Sequence, residues 1–596
     1  MKRRSLLSIE GLEKAKEVMA VSLGKEKADL AVLHGTLLNV YTGEFIEDCA
    51  VLAKGEWIAY VGDAPEESIG PDTEILDAGG RPVIPGLIDG HAHLADGLCS
   101  PVEVLRYVMA GGTTTIITET VEPYPLRGCE GITDFLEAFR DQPVKIFATA
   151  PAMASTSRRS HGISSYSLQQ LFSRDEVIGL GESYWQAVIQ DPDTFLPNFR
   201  TTLLGGRKLE GHSAGAKGRS LTAYIATGVS SCHEPITAQE ALERLRLGLH
   251  VMVREGSIRR DLEAISQIRA AGIDLRRLIL VTDGVEPGDL LEKGYMEYVV
   301  QKAVDLGFDP VTAIQMATIN VAEYFGLDGI VGGLAPARYA DLLILPDPRT
   351  IRPEVVISRG RIIARDGKPL QSPRSHHFSP QSLKSIHLDK RFEASDFAVR
   401  VEDPWSHVNV RVIEQIAPLV TRECVTCLPV VEGLIRPDPG QDLLKVAAID
   451  RSIETGKTFV GLIKGFGLAE GAVASSSAWD TSDIIVVGVK EEDMAEAVNR
   501  IQDLQGGVVF CSGGRILAEI PLPILGLMSD LPLPLLAEKS GEMTRVMKEK
   551  GFPFDDPLRT LSTLTGAAIP FLRICEEGLV DIKTGKGVPL FWACRD

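Results

Sequence analysis

The stretch Val83-Ile84-Pro85-Gly86-Leu87-Ile88-Asp89-Gly90-His91-Ala92-His93-Leu94 carries the signature of the fold. An apolar run ends in a Pro-Gly turn, and a second short apolar piece then delivers two histidines separated by one residue. In an extended strand, side chains at i and i+2 point to the same side. His91 and His93 therefore project together from a strand end, close enough for their imidazoles to grip one cation. Neutral imidazole is the commonest metal ligand among side chains, and it suits zinc, iron and other first-row divalent ions. The plain alternative is two histidines in an exposed turn; the strand-like run before them favours the metal.

Downstream, strand-like pieces alternate with helical patterns. Candidate strands end at His93, Glu119, Ala150, Glu182, near His212, at His233, near Glu255 and at Asp283. Helix patterns lie between several of them, such as residues 237–246 with Thr237 at the cap. Eight strands with intervening helices are the arithmetic of a (β/α)8 TIM barrel, whose active site gathers at the strand C-terminal ends. A doubly wound open sheet is the runner-up, but no G-x-G-x-x-G follows the first strand to support it.

Working outward, residues 28–81 are strand-like with Gly and Asp at the turns, and residues 340–370 repeat that style. Two β-rich pieces flanking an α/β section predict one small β-sandwich with the barrel, residues 82–339, inserted between them. Residues 5–24, within an N-terminal segment 1–27, read as a short amphipathic helix. Residues 371–391 are polar and poorly patterned, a linker candidate in which His376 and His377 are expected to be solvated. Strand-rich text then opens a C-terminal α/β domain, residues 392–596.

With 596 residues the chain is too long for one core, so roughly two to four domains are expected. The net charge of −19 argues against a nucleic-acid backbone or an anionic membrane as partner. The start Met1-Lys2-Arg3-Arg4 leads into Glu10, Glu13, Lys14 and Lys16 rather than an apolar run, so a signal peptide is not expected, and no stretch suits a bilayer span. Nine cysteines without a regular framework fit reduced thiols in a cytosol. Cys424-Val-Thr-Cys427 is a lone C-x-x-C, read as two small core residues rather than a zinc or redox pair.

The candidate ligands fall at the ends of proposed strands. His91 and His93 come from the first, Glu122 from just beyond the second, Glu182 from the fourth, His212 from the fifth, His233 from the sixth and Asp283 from the eighth. Singly, each is readily a surface-turn residue. Together, four histidines and several carboxylates at one rim are enough for two divalent ions, with a carboxylate such as Glu122 bridging them.

Pro85-Gly-Leu-Ile-Asp-Gly-His-Ala-His93 resembles the first-strand signature of the amidohydrolase superfamily. Within it, the chain resembles the adenine deaminase family along nearly its whole length. The resemblance includes Gly112-Thr-Thr-Thr115, Val177-Ile-Gly-Leu-Gly-Glu182, Leu221-Thr-Ala-Tyr-Ile-Ala-Thr-Gly228 with His233-Glu234, Val253-Arg-Glu-Gly-Ser257 and Met316-Ala-Thr-Ile-Asn320. In the C-terminal region it includes Lys464-Gly-Phe-Gly-Leu468 and Pro521-Leu-Pro-Ile-Leu-Gly-Leu-Met-Ser-Asp530.

The resemblance implies hydrolytic deamination of adenine to hypoxanthine and ammonia at a binuclear centre, with manganese or iron expected and zinc compatible. His91 and His93 would hold one ion, His212 and His233 the other, and Glu122 would be the bridging glutamate. Hydroxide made available by the ions would attack C6 of the purine. Asp283 would shuttle the proton to the departing amine, and Glu182 or Glu234 would serve ring nitrogen N1. Glu255, with its neighbour Arg254, is a candidate for reading the purine edge. The implied partner is a small purine, with neither nucleic acid nor membrane; a homo-oligomer is compatible with this reading.

Three motifs depart from the family. Glu119-Thr-Val-Glu122 stands where Asp-Pro-His-Glu is usual, Gly284 follows Asp283 where a second acid is expected, and Trp479-Asp-Thr-Ser-Asp483 replaces a His-Asp-Ser-His pattern. Expected metal ligands persist while groups near the substrate change. The alternatives are a deaminase of another aminopurine or aminoheterocycle, a cyclic-amide hydrolase, and a non-catalytic metal-binding homologue. Cyclic-amide hydrolases usually place a carboxylated lysine where Glu182 stands, and a non-catalytic homologue would be expected to lose Asp283 or a ligand.

Overall fold

Leu87–Ala92, Thr113–Thr118, Lys145–Ala150, Val177–Tyr184 and Lys208–His212 run parallel, in that order, as one five-stranded sheet. They belong to a computed structural model that describes residues 11–63, 65–452 and 456–594. Ser231–Cys232, His250–Arg254 and Leu278–Val281 form a second parallel sheet of three. Backbone hydrogen bonds join the two arcs at both junctions, from Ser230 N to Leu209 O and from Asp283 N to His91 O, each 3.0 Å. The eight strands close into the expected barrel. Every residue of the first two strands is buried, as expected of parallel strands covered on both faces, which have no solvent-facing alternation to show. Helices cover the outside; Ala238–Arg246 is capped by Thr237, whose hydroxyl accepts the Glu240 N–H.

Four strands from after the barrel join five from before it in one nine-stranded sheet. The seam is Pro82–Pro85 paired antiparallel with Leu342–Ile344. Pro82–Pro85, grouped with the barrel on sequence, thus belongs to this sheet. Gly86 divides the two strands: a Cβ there would lie 2.3 Å from Thr114 Oγ1, so only glycine lets the chain pass the second barrel strand so closely. The N-terminal helix spans Leu12–Ser22, burying Val18 and Val21; residues 5–10 of the expected helix lie outside the described residues.

The C-terminal region is β-rich, built on an eleven-stranded sheet, a smaller three-stranded one, and the helices Glu491–Leu504 and Leu533–Glu549. Residues 371–391 contain neither helix nor strand, yet the backbone of Arg374 exchanges two 2.7 Å hydrogen bonds with the Gln142 amide. His376, expected to be solvated, is mostly buried with Nε2 3.3 Å from Asp134 Oδ1, whereas His377 is exposed. The cysteine expectation is corrected as well. Cys427 lies exposed on Thr421–Val431 and is bonded to Cys594, so it is not a core residue, while Cys424 is free and half-buried against the core. Exposure alternates along that strand: Cys424, Leu428 and Val430 pack on the core, and the opposite face, with Cys427, meets solvent. Among the described residues no helix is long and apolar enough to cross a membrane.

The C-terminal region also lies over the barrel mouth. Asp480 accepts the Tyr184 hydroxyl at 3.0 Å and the Ala567 N–H at 2.8 Å, and Ser155 donates to the Asp480 carbonyl at 2.6 Å.

Candidate metal centre

The first strand is locked to the eighth beside the site. Asp89 Oδ2 accepts the Thr282 hydroxyl at 2.6 Å, and its Oδ1 accepts the N–H groups of Thr282 and His91, both at 3.2 Å. His91 and Asp283 thereby face each other, Asp283 Oδ1 lying 3.3 Å from His91 Nε2 and 3.7 Å from His93 Nε2. Asp283 takes a left-handed backbone, φ 65°, which aspartate tolerates better than most residues.

Glu182 occupies the middle of the cluster. Its Oε1 lies 2.7 Å from His93 Nε2, 3.3 Å from His91 Nε2 and 3.8 Å from His233 Nε2. Glu122, expected to bridge, instead stands behind His93 with Oε1 2.5 Å from Nδ1. The central position belongs to Glu182 because the fourth strand runs on to Tyr184 and carries its carboxylate between the histidines.

His91, Glu182, His233 and Asp283 each present a ligand atom within 4.8 Å of all the others, and so do His212, His233 and Glu234. Glu234 Oε1 is 3.2 Å from both His212 Nε2 and His233 Nε2. His91 Nε2 is buried without a hydrogen-bond partner, which is costly unless a ligand satisfies it. Imidazole nitrogens with carboxylate oxygens are a donor set for first-row divalent ions. The residues fit a divalent metal.

Burial opposes charge on His91 and His93, but the surrounding carboxylates outweigh it, and both imidazoles are held well above their ordinary pKa. The same balance in reverse holds Glu182, Glu234 and Asp283 below the usual carboxylate range, with Arg254 aiding the last two. On Glu119 burial, helped by the neighbouring Glu182 and Glu210, outweighs the opposing charge of His91 and His93, and its carboxyl is pushed up to about 8.

Arg254 lines the cavity, but its guanidinium is committed: Nη1 donates to Glu234 at 2.6 Å, and Nε and Nη2 donate to Asp261 at 3.2 and 3.0 Å. It orients acids instead of reading a purine edge. Glu255 is not brought to the site. Neighbouring side chains on a strand face opposite ways, so with Arg254 inward Glu255 points outward, where its Oε1 accepts Lys302 Nζ at 2.7 Å. Glu119 and Glu210 were missed: Glu119 Oε1 lies 3.7 Å and Glu210 Oε2 3.5 Å from His91 Nδ1. Glu210 sits two residues before His212 on the same strand, and that i, i+2 spacing was the available signal.

Over the cluster lies a cavity of about 490 Å³, walled by Val121, Tyr184 and Ile258 from the barrel and by Trp479, Asp480 and Ile569 from the C-terminal region. Both Val121 and Trp479, two of the departures from the family motifs, therefore face it.

A buried histidine–carboxylate centre at the mouth of a (β/α)8 barrel defines an amidohydrolase, and residues 83–186 and 200–365 match the amidohydrolase family while residues 418–586 match the adenine deaminase C-terminal domain. The chain is 35% identical to an adenine deaminase of Moorella thermoacetica over 587 residues, covering 97% of this chain and 98% of the relative. It is 36% identical to that of Cenarchaeum symbiosum over 583 residues, covering 97% and 95%. Among solved structures, a beta-aspartyl dipeptidase of Fervidobacterium islandicum aligns at TM-score 0.46 and 16% identity, covering 58% of this chain and 98% of that one. The chain belongs to the adenine deaminase family.

Proposed function

We propose that the chain hydrolyses adenine to hypoxanthine and ammonia, using two divalent ions, manganese or iron. The observation that supports it best is the Glu182-centred cluster opening into a roofed cavity large enough for a purine. His91, His93, Glu182 and Asp283 would hold one ion, and His212 and His233 the other, with Glu182 shared. When bound, such ions lower the pKa of water towards neutrality and so supply a nucleophile.

The chain's own groups do the rest. Asp283, ionised beside Arg254, takes a proton from the attacking water and hands it to the departing amine. Glu234, expected to serve ring nitrogen N1, is kept anionic by Arg254 and His212, so it has no proton to give and acts there only as a hydrogen-bond acceptor. Trp479 and Asp480 close the mouth and exclude bulk water. The test is ammonia release from adenine by manganese- or iron-loaded protein, with chelated protein as control. Absence of turnover at full metal occupancy, across adenine and a panel of aminopurines, pterins and cyclic ureas, overturns the reading. A second reading, another aminopurine as substrate, is favoured by Val121 and Trp479 facing the cavity; it predicts that a different member of the panel outpaces adenine.

A further inference from the structure

The barrel is hydrogen-bonded as arcs of five and three strands, and one junction runs between Leu87–Ala92 and Leu278–Val281. That junction separates the ligands His91 and His93 from Asp283. Three positions beyond His93 comes Asp96, and three positions beyond Asp283 comes Glu286. Both carboxylates are held by a single side chain from the C-terminal region. Arg559 Nη1 donates to Asp96 Oδ2 at 2.7 Å, and Nη2 donates to Glu286 Oε1 at 2.9 Å. Asp96 Oδ1 accepts the Trp479 indole N–H at 3.0 Å, so the cavity roof is fastened to the same loop. The Arg559 side chain is 6% exposed and that of Asp96 7%. A guanidinium presents its donors in a fixed fork, which suits two carboxylates in defined relation and which a lysine cannot reproduce.

We propose that Arg559 is a positioning residue: beyond the Asp89–Thr282 link that joins the first and eighth strands, it spans the same junction and holds the segments carrying Asp96 and Glu286, and with them the ends of the strands that present His93 and Asp283. The C-terminal region is then part of the metal centre's support without supplying a ligand. This rests on the metal-centre reading above. Outer partners of ligand-bearing groups typically change metal affinity or activity about 10- to 100-fold when removed.

The test compares Arg559→Met, Arg559→Lys and Glu286→Gln in the full chain. Metal content is followed by elemental analysis during dialysis against a chelator, together with amide hydrogen exchange at residues 94–97 and 284–288, and kcat and KM. Arg559→Met is expected to lose metal about tenfold faster than wild type, to exchange faster in both loops, and to lower kcat while KM changes less than twofold. Arg559→Lys should fall between the two, because one arm of the fork is lost. Glu286, whose side chain is 37% exposed, can be neutralised without disturbing the core, and Glu286→Gln should shift the same readouts even where Arg559→Met does not fold. Metal retention does not depend on the substrate, so it separates failure here from failure of the adenine assignment. Wild-type metal retention and loop exchange in folded Arg559→Met, or in Glu286→Gln where Arg559→Met does not fold, would overturn the proposal.

Discussion

Replacing Asp283 by asparagine separates holding metal from moving a proton. Asp283 Oδ1 lies 3.3 Å from His91 Nε2, and an amide oxygen can occupy that place. Arg254 loses a partner 3.5 Å away but keeps Glu234 at 2.6 Å and Asp261 at 3.0 Å, so no buried cation is left unpaired. The stability cost is therefore about 1 kcal/mol, the net worth of one weak charged contact. The amide cannot accept a proton, and loss of a general acid–base group slows turnover by about 10²- to 10⁴-fold. At 1.36 kcal/mol per factor of ten, that raises the barrier by roughly 3–5 kcal/mol. The assay is ammonia release from the preferred aminopurine, with elemental analysis on the same preparation. If Asp283→Asn carries a full metal complement and turns over within tenfold of wild type, the proton-shuttle argument is wrong.

Glu182→Gln should lose most bound metal, since the oxygen shared among three histidine nitrogens would lose its charge; elemental analysis after desalting reads this directly. Glu255→Gln should leave kcat and KM within about twofold in steady-state assays, because the side chain points away from the cavity and meets Lys302 instead. Asp480, pushed up to about 7 by burial, binds its proton more tightly folded than unfolded, where the ordinary carboxylate value applies. Its stabilising contribution is thus complete below about pH 4 and is lost as pH rises through about 7. In chelated protein, Asp480→Asn should remove that decline, gaining on wild type between pH 4 and 8 by on the order of 2–4 kcal/mol in chemical denaturation. A constant offset between the two proteins across that range would contradict this.

Strand endings were legible because side chains on a strand alternate and because a barrel gathers what those endings carry. His91, His93 and Asp283 follow short apolar runs, His212 and His233 end shorter and more polar pieces, and the structure brings all five to one mouth. What a linear text does not carry is rotation about the barrel axis. Whether Glu122 or Glu182 stands between the histidines depends on how far each strand extends before its loop turns, and the fourth extends two residues past Glu182. Glu255 was misplaced for a different reason: Arg254 and Glu255 are adjacent, and only one of them can face inward. The roof was beyond local pattern altogether, since Asp480 meets Tyr184 from nearly three hundred residues away. Cys427 and Cys594 are likewise remote in sequence, and no spacing rule joins them.

The nine-stranded sheet has an implication for biosynthesis. Pro82–Pro85 leaves the ribosome long before Leu342–Ile344, its antiparallel neighbour, and the whole barrel is translated in the interval. A nascent polypeptide stalled before residue 342 therefore exposes an unpaired apolar edge of the sort that recruits foreign strands. Truncations ending there should precipitate during expression, whereas those carried past residue 365 have the missing neighbours.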